Sequence, residues 1–454
     1  MLSRFVFTFS YQIIFRIIAG FLFLFFLWVF VLSLMEKEKR AALISLAAGF
    51  IIGGVIFISG YIHQPVVPYL TAIILFILLV LFFIPPHIRK EITDPLPSGR
   101  IDERNVMFSR RLLEPGTNRF EEYYKRHPEH KAADDLFRKK PGLLNRRAVY
   151  YDPLTFPAAD AFFQTVEEMS SGVTGPVAEA QEKISPVRIT RFLKDWTEKL
   201  GAISSGVAVM QPYHYYHTGG RHYNYGEKIE PPYRFGFVFT VEMDREMINA
   251  GPLGPAVMES AHQYLEAGKI AVVISQYLRF LGYDARAHID AHYQVVCPLV
   301  ARDAGLGEIG RMGLLMTPRL GPRVRIGVVT TNVELIPDER KEDPSVMDFC
   351  LRCKKCALNC PVGAIPEGTP EMIDGVRRWQ IKQEACYTYW ATVGTDCGRC
   401  VAVCPYSHPD NAFHRMVRWG IKRSWLINKL ALPLDELFYR KKPVRGQVPE
   451  WLRK

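Results

Sequence analysis

The chain changes its pattern of apolar and polar positions near residue 90. Before that point, three apolar runs follow one another: Ile17 to Met35, Ala41 to Ile62 and Val66 to Ile84. The first holds eight consecutive bulky residues, Phe21 to Trp28, and the second carries Gly49, Gly53 and Gly54. Each run approaches the roughly 20 residues a helix needs to cross a bilayer core. Polar positions do not recur along them at the spacing of an amphipathic soluble helix. A secretory signal would show one shorter apolar core and a small-residue cleavage site. The pattern predicts three transmembrane helices within residues 1–90.

Beyond them the pattern becomes that of a folded soluble region. Residues 91–159 are rich in Pro, Arg and Lys and read as a basic linker, with Asp94 to Gly99 as its turn-rich start. From about 160 to 343, short apolar or alternating runs predict strands at Val207–Met210, Phe235–Phe239 and Val324–Val329. Pro255 to Leu281 predicts a long helix, with Pro at its start and Gly282 at its C-terminal cap. Strands and helices mixed in this way predict an α/β domain of the α+β kind. Residues 411–454 read as a basic C-terminal extension.

Charge adds an orientation. The formal net charge of +11 implies an anionic partner, lipid or nucleic acid. No nucleic-acid motif supports the second, whereas Arg138-Lys139-Lys140 and Arg146-Arg147 could rest on lipid headgroups or form a solvated basic face. Lys37, Lys39 and Arg40 load the first short loop, and Arg89, Lys90, Arg100 and Arg104 follow the third run. The loop His63-Gln64-Pro65 has no Lys or Arg, while Arg4 and Arg16 precede the first run. With three crossings, the positive-inside rule puts the first loop and the large C-terminal part in the cytoplasm.

The chemistry is concentrated between Cys350 and Pro405, which hold eight of the nine cysteines. Cys350, Cys353, Cys356 and Cys360 form a C-x2-C-x2-C-x3-C run followed by Pro361; Cys386, Cys397, Cys400 and Cys404-Pro405 form a second set. In the bacterial ferredoxin pattern, three thiolates of such a run hold one cubane and the fourth ligates the other. Cys350, Cys353, Cys356 and Cys404 are therefore expected on one [4Fe–4S] cluster, and Cys360, Cys386, Cys397 and Cys400 on the other. Two zinc sites would favour separated C-x2-C pairs, and a disulfide framework does not suit clustered cysteines in a long chain. The segment 344–410 is thus a ferredoxin-like electron-transfer module. Cys297, outside it, reads as a buried apolar thiol.

Two further features lie in the α/β region. The loop Tyr213 to Tyr225 is dense in aromatics and histidine, with Tyr213 and His214 at its start, and suits a cofactor or substrate wall. Asp290-Ala291-His292-Tyr293-Gln294-Val295 partly matches a D-x-H-x-x-G cobalt-ligand signature, but the final Gly is absent, so His292 is not read as a cobalt ligand.

Leu281-Gly282-Tyr283, then Ala304-Gly305-Leu306-Gly307-Glu308 with Gly310-Arg311, Thr317-Pro318 and Gly321 to Arg325, followed by the two-cluster cysteines, resemble the cobalamin-dependent reductive dehalogenases. Epoxyqueuosine reductase is a relative with a similar core, but it would carry Trp after Gly-Leu-Gly and then Gly-Lys; Glu308 and Arg311 favour the dehalogenase side. The resemblance implies a nitroreductase-like core over 160–343 binding a corrinoid, with Gly305, Gly307, Thr317 and Pro318 among its cofactor-binding residues. It implies a Tyr proton donor, which registers at Tyr264, an Arg at Arg325 with Arg323 as the alternative, and a third polar residue at Asp290 or His292. Neither is the Asn or Lys of characterised members. It also implies an organohalide substrate and a low-potential donor such as a ferredoxin, a flavodoxin or a membrane redox partner. Respiratory members are usually exported with a twin-arginine leader, which this sequence lacks, in keeping with a cytoplasmic catalytic face. The other readings are a different corrinoid-dependent reduction of the epoxyqueuosine reductase kind, and a membrane-tethered electron-transfer protein without catalysis.

Overall fold

The computed structural model describes residues 2–59, 66–88, 97, 99–373, 376–443 and 448–453. The loop His63-Gln64-Pro65, Arg89, Lys90 and most of Asp94 to Gly99 lie outside the described residues, as does the Arg4 side chain. The chain divides into two compact units. One comprises Met1–Ile88 and Pro409–Pro443, the other Arg89–His408 and Val444–Lys454.

In the first unit, α1 (Leu2–Met35), α2 (Lys39–Ser59) and α3 (Val66–Phe83) realise the three apolar runs. Small residues let α1 and α2 approach closely: a Cβ on Gly49 would stand 3.0 Å from Cβ of Phe26. Among the described residues, two helices are long and apolar enough to cross a membrane, over Gln12–Met35 and Lys39–Ser59. The expectation of three spans is corrected here. The third helix has 18 residues, about 27 Å at 1.5 Å per residue. That falls short of the ~30 Å core.

The C-terminal stretch, which the sequence shows only as basic, forms two further helices of this unit, Ala412–Arg423 and Trp425–Tyr439. Asn411 and Ser424 cap them, accepting the backbone N–H of His414 and Ile427. His414 Nε2 lies 3.1 Å from Glu36 in the α1–α2 loop, Arg40 Nε donates to the Leu437 carbonyl at 2.8 Å, and the Trp425 N–H donates to Ile84 just after α3 at 2.7 Å. The first loop and the end of α3 therefore meet the same helix pair.

The second unit is built on a four-stranded antiparallel sheet. Its strands are β1 (Ser204–Val209), β2 (Phe235–Glu242), β3 (Ala285–His288) and β4 (Val324–Thr331), in the order β1-β2-β4-β3. Strand alternation sorts its side chains. Phe235, Phe237, Phe239, Val241 and Val329 pack with Ile270, Ile274 and Leu278 of α4 (Gly254–Phe280) on one face. Ala208, Val238 and Val328 pack with Val300 of the helix Cys297–Asp303 on the other. Each fully buried Phe or Val contributes about 1.5–3 kcal/mol of transfer free energy. The α4 helix ends where Gly282 adopts φ +80°; a Cβ there would collide with the Ala180 carbonyl at 2.6 Å. The predicted strands and long helix are all present, and the mixed helix and sheet architecture agrees with the expected class.

Candidate electron-transfer and proton-donor site

The cysteine module is assembled from short helices and loops. Pro344–Cys353 carries two of the first three thiols, and Lys354 at φ +54° turns the chain into Lys355–Leu358, which carries Cys356. Gln383–Val393 carries Cys386 and ends at Gly394. Thiols that act on each other sort into two sets. Burial raises the Cys404 pKa well above its usual value, and Cys353, Cys350 and Cys356 raise it further. Burial pushes Cys386 up to about 12, helped by Cys397 and Cys360, and Cys400 up to about 12, helped by Cys386 and Cys360. Cys356 feels Cys350, Cys400 and Cys353, so the two sets abut. Crowded buried thiols of this kind fit a metal cluster, which takes them as thiolates and removes the proton cost. The Ala364 N–H also donates to Cys360 Sγ at 3.2 Å; hydrogen bonds to ligand sulfurs are one of the ways proteins set cluster potentials.

Arg311 staples the first set to the core. It is fully buried and donates to the carbonyls of Cys350 (2.8 Å), Pro366 (2.7 Å) and Gly368 (2.8 Å), with its guanidinium 4.4 Å from the Trp379 ring centroid. Burial lowers its pKa, and Cys350, Cys356 and Cys353 oppose that shift. A cation placed beside thiolates favours added negative charge. Gly307 permits the close approach of the chain at Met316, since a Cβ there would sit 2.3 Å from the Met316 carbonyl oxygen.

The second cluster of groups lies on the α4 face of the sheet. Arg325 lies on the same face of β4 as Val329, and its guanidinium carbon stands 4.6 Å from the centroid of the Tyr264 ring. Ser260, one turn before Tyr264 on α4, donates to Asp396 Oδ2, and Arg325 Nη2 reaches both Ser260 Oγ and Asp396 Oδ2, the latter at 3.4 Å. Asp396 immediately precedes Cys397. The Arg325 charge is the largest influence on Tyr264 and lowers its pKa; burial, Asp290 and Asp396 outweigh it, and the phenol stays above its ordinary value. Burial raises Tyr293 well above its usual value, and Cys297, Asp290 and Tyr264 add to it. Arg325 is lowered by burial and raised by Tyr264, Asp396, Tyr293 and Asp290, with a net rise. The result is a neutral phenol held against a cation.

The other sequence candidates are placed as follows. Ala291 at φ +62° turns the chain between Asp290 and His292. Asp290 acts on Tyr264, Tyr293 and Arg325, whereas His292 stacks on Tyr223 at 4.6 Å and lies 3.1 Å from Glu167. Arg323 is spent elsewhere, on Glu242 (2.6 Å) and the Ser407 carbonyl (3.0 Å). Tyr213 donates to Asp303 at 2.7 Å and His214, fully buried, sits 2.9 Å from the same carboxylate. With Arg302 at 2.8 Å they form one network that brings Asp303 well below the usual carboxylate range despite its burial. Gly305 has φ +77°, Thr317 is buried and accepts the Leu320 N–H at 3.2 Å, and Pro318 is exposed. Cys297 is buried, which pushes its thiol up to about 12. Sequence reasoning missed Ser260, Tyr293 and Asp396; an acidic residue next to a cluster ligand was the one available signal.

Residues 349–408 match the 4Fe–4S dicluster domain family. The chain is 36% identical to a tetrachloroethene reductive dehalogenase of Sulfurospirillum multivorans over 204 residues, which is 43% of this chain and 40% of that protein. Its fold is shared with a catabolic reductive dehalogenase, NpRdhA, at 24% identity and a TM-score of 0.63, covering 80% of this chain and 50% of that one. A second reductive dehalogenase, whose structure is described as suggesting a mechanism for B12-dependent dehalogenation, is 26% identical with a TM-score of 0.62, covering 71% and 47%. The chain is therefore an iron–sulfur protein related to the reductive dehalogenases and carries their fold. It spans half or less of the length of these three relatives.

Proposed function

We propose that the protein is a membrane-anchored oxidoreductase that cleaves carbon–halogen bonds of an organohalide, using cobalamin and two [4Fe–4S] clusters. The observation that carries this reading is the Arg325 guanidinium on the Tyr264 ring, held by an aspartate adjacent to a cluster cysteine. Cys350, Cys353, Cys356 and Cys404 hold one cluster, and Cys360, Cys386, Cys397 and Cys400 the other. Cobalamin suits the site because buried Arg325 Nε and Asp396 Oδ1 keep hydrogen-bonding capacity that no protein group takes up. The backbone from Gly305 to Pro318 shapes its cofactor wall; Tyr213 and His214, both engaged with Asp303, support that wall from behind. When bound, the corrinoid supplies the strong reductant that attacks the carbon–halogen bond.

The chain's own residues manage the proton. Reductive cleavage takes two electrons and one proton, releases halide and forms a carbon–hydrogen bond. Tyr264, ordinarily near pKa 10 and raised here, keeps its proton at neutral pH until a carbanion-like centre develops. Its O–H then gives that proton, and the Arg325 cation stabilises the phenolate left behind. Asp396 and Ser260 fix Arg325 in place, and Asp290, not His292, takes the supporting position.

The anchor reading follows from α1 and α2 and from the basic loop Lys37 to Arg40, which belongs in the cytoplasm by the positive-inside rule. Since the 412–439 helices meet both that loop and Ile84 at the end of α3, α3, short as it is, returns the chain through a locally thinned bilayer to the side of that loop. The protein is thus assigned to the inner membrane as a multi-pass protein, with its catalytic unit facing the cytoplasm, where a low-potential ferredoxin, flavodoxin or membrane donor would supply electrons. Anaerobic reconstitution with cobalamin, followed by halide release from a panel of organohalides, tests the activity. Corrinoid binding without halide release from any member would favour another reduction.

A further inference from the structure

The two C-terminal helices of the membrane unit leave several large apolar side chains exposed among the described residues. On α5 (Ala412–Arg423) the exposed positions after Ala412 are Arg415, Met416, Trp419, Lys422 and Arg423. On α6 (Trp425–Tyr439) they are Lys429, Leu430, Pro433, Leu434 and Leu437. The spacing of three and four residues puts each set on one stripe. Trp419 and Leu437 are each 47% exposed and Leu434 is 45% exposed, while Ile421 and Ala431 turn inward. A soluble surface rarely leaves so many large apolar groups together.

The depth of the pair says what covers it. Phe413, at the start of α5, packs 6.3 Å from the Phe25 ring and 6.2 Å from Trp28. Those rings belong to the apolar span Gln12–Met35, about 15 and 10 Å short of its Met35 end at 1.5 Å per residue. Trp419 meets Phe82 at 6.3 Å, near the end of α3. Elements that touch the apolar body of a spanning helix, while His414 reaches the Glu36 loop, lie at the level where acyl chains meet headgroups. An apolar stripe edged by Arg and Lys is the signature of an interfacial helix, with the cations at the headgroups and the Trp at the boundary.

We infer that α5 and α6 form an interfacial hairpin embedded in the cytoplasmic leaflet. Its stripe Met416, Trp419, Leu430, Leu434 and Leu437 lies against acyl chains, and Arg415, Lys422, Arg423 and Lys429 against anionic phospholipid headgroups. The inference rests on the membrane-anchored reading.

The test is photocrosslinking of the full-length holoprotein in nanodiscs of phosphatidylcholine and phosphatidylglycerol. A benzophenone amino acid is placed at Trp419, Leu434, inward Ile421, or Phe21, which is 71% exposed on α1. The inference expects lipid adducts from 419, 434 and 21 and none from 421, with the 419 and 434 yields falling severalfold when phosphatidylglycerol is omitted or when Lys422 and Arg423 are changed to Gln. Lipid adducts from 21, together with only protein–protein adducts or none from 419 and 434, would overturn the hairpin and leave the anchor standing. Absence of lipid adducts at all three positions would overturn both.

Discussion

Between Cys350 and Cys404 all the thiols of the proposed electron relay come from one continuous stretch, and their spacing alone sorts them into two sets. The Tyr264 pocket is built the other way: its groups come from α4, from the turn at Asp290, from β4 and from the residue before Cys397. The difference follows from what each must do. A cubane needs only four sulfurs at fixed distances, and short loops supply them. A proton donor needs a neutral acid, a cation and a counter-charge in balance, and only tertiary packing brings those together. Asp396 is where the regions meet, since its carboxylate holds Arg325 while its neighbour Cys397 is one of the proposed cluster thiols.

Breaking the relay should have the largest effect. Cys404→Ser is expected to lower iron from about eight to about four per chain, the loss of one cubane, and to abolish turnover while leaving the Tyr264 pocket intact. Iron and sulfide analysis checks it; unchanged iron would show that Cys404 is not a ligand. Arg325→Met comes next, with turnover reduced about 10²-fold, the lower end of what general acids supply, and with both cubanes retained. Arg325→Lys should recover little, because an ammonium cannot bridge Ser260 and Asp396 while lying flat on the ring.

A smaller effect separates Asp290 from His292. The Asp290 charge raises the Tyr264 pKa, so Asp290→Asn lowers it. The acid then loses its proton at lower pH, and the alkaline limb of the turnover profile moves towards neutrality. His292→Asn, whose imidazole stands against Tyr223 and Glu167, should leave that limb in place. A limb that moves with His292 and not with Asp290 would reverse the assignment.

The same contrast explains what could be read in advance. Phe235 to Phe239, the Pro255 start and Gly282 stop of α4, and the cysteine spacings are local signals, and the structure carries them as expected. Tyr264 has no local signal; only its registration against family motifs singles it out. Counting along the chain could not choose between Asp290 and His292 because the choice rests on the backbone turn at Ala291. Ser260 and Asp396 meet across 136 positions, beyond the reach of periodicity or spacing. Counting apolar residues overstated the third span, since a run of spanning composition ended as a helix too short for the core. The C-terminal helices were hidden because their stripe mixes Arg and Lys with Trp and Leu, which reads as merely basic.

The most direct test is halide release by the cobalamin-loaded, cluster-replete protein with Tyr264→Phe, which removes one hydroxyl and keeps the ring beneath Arg325. Clusters and corrinoid should remain bound, and turnover on the substrate that the wild type dehalogenates should fall by about 10²–10⁴-fold. Near-normal turnover by that variant, with both cofactors in place, would show that the proton comes from another group and would contradict the account.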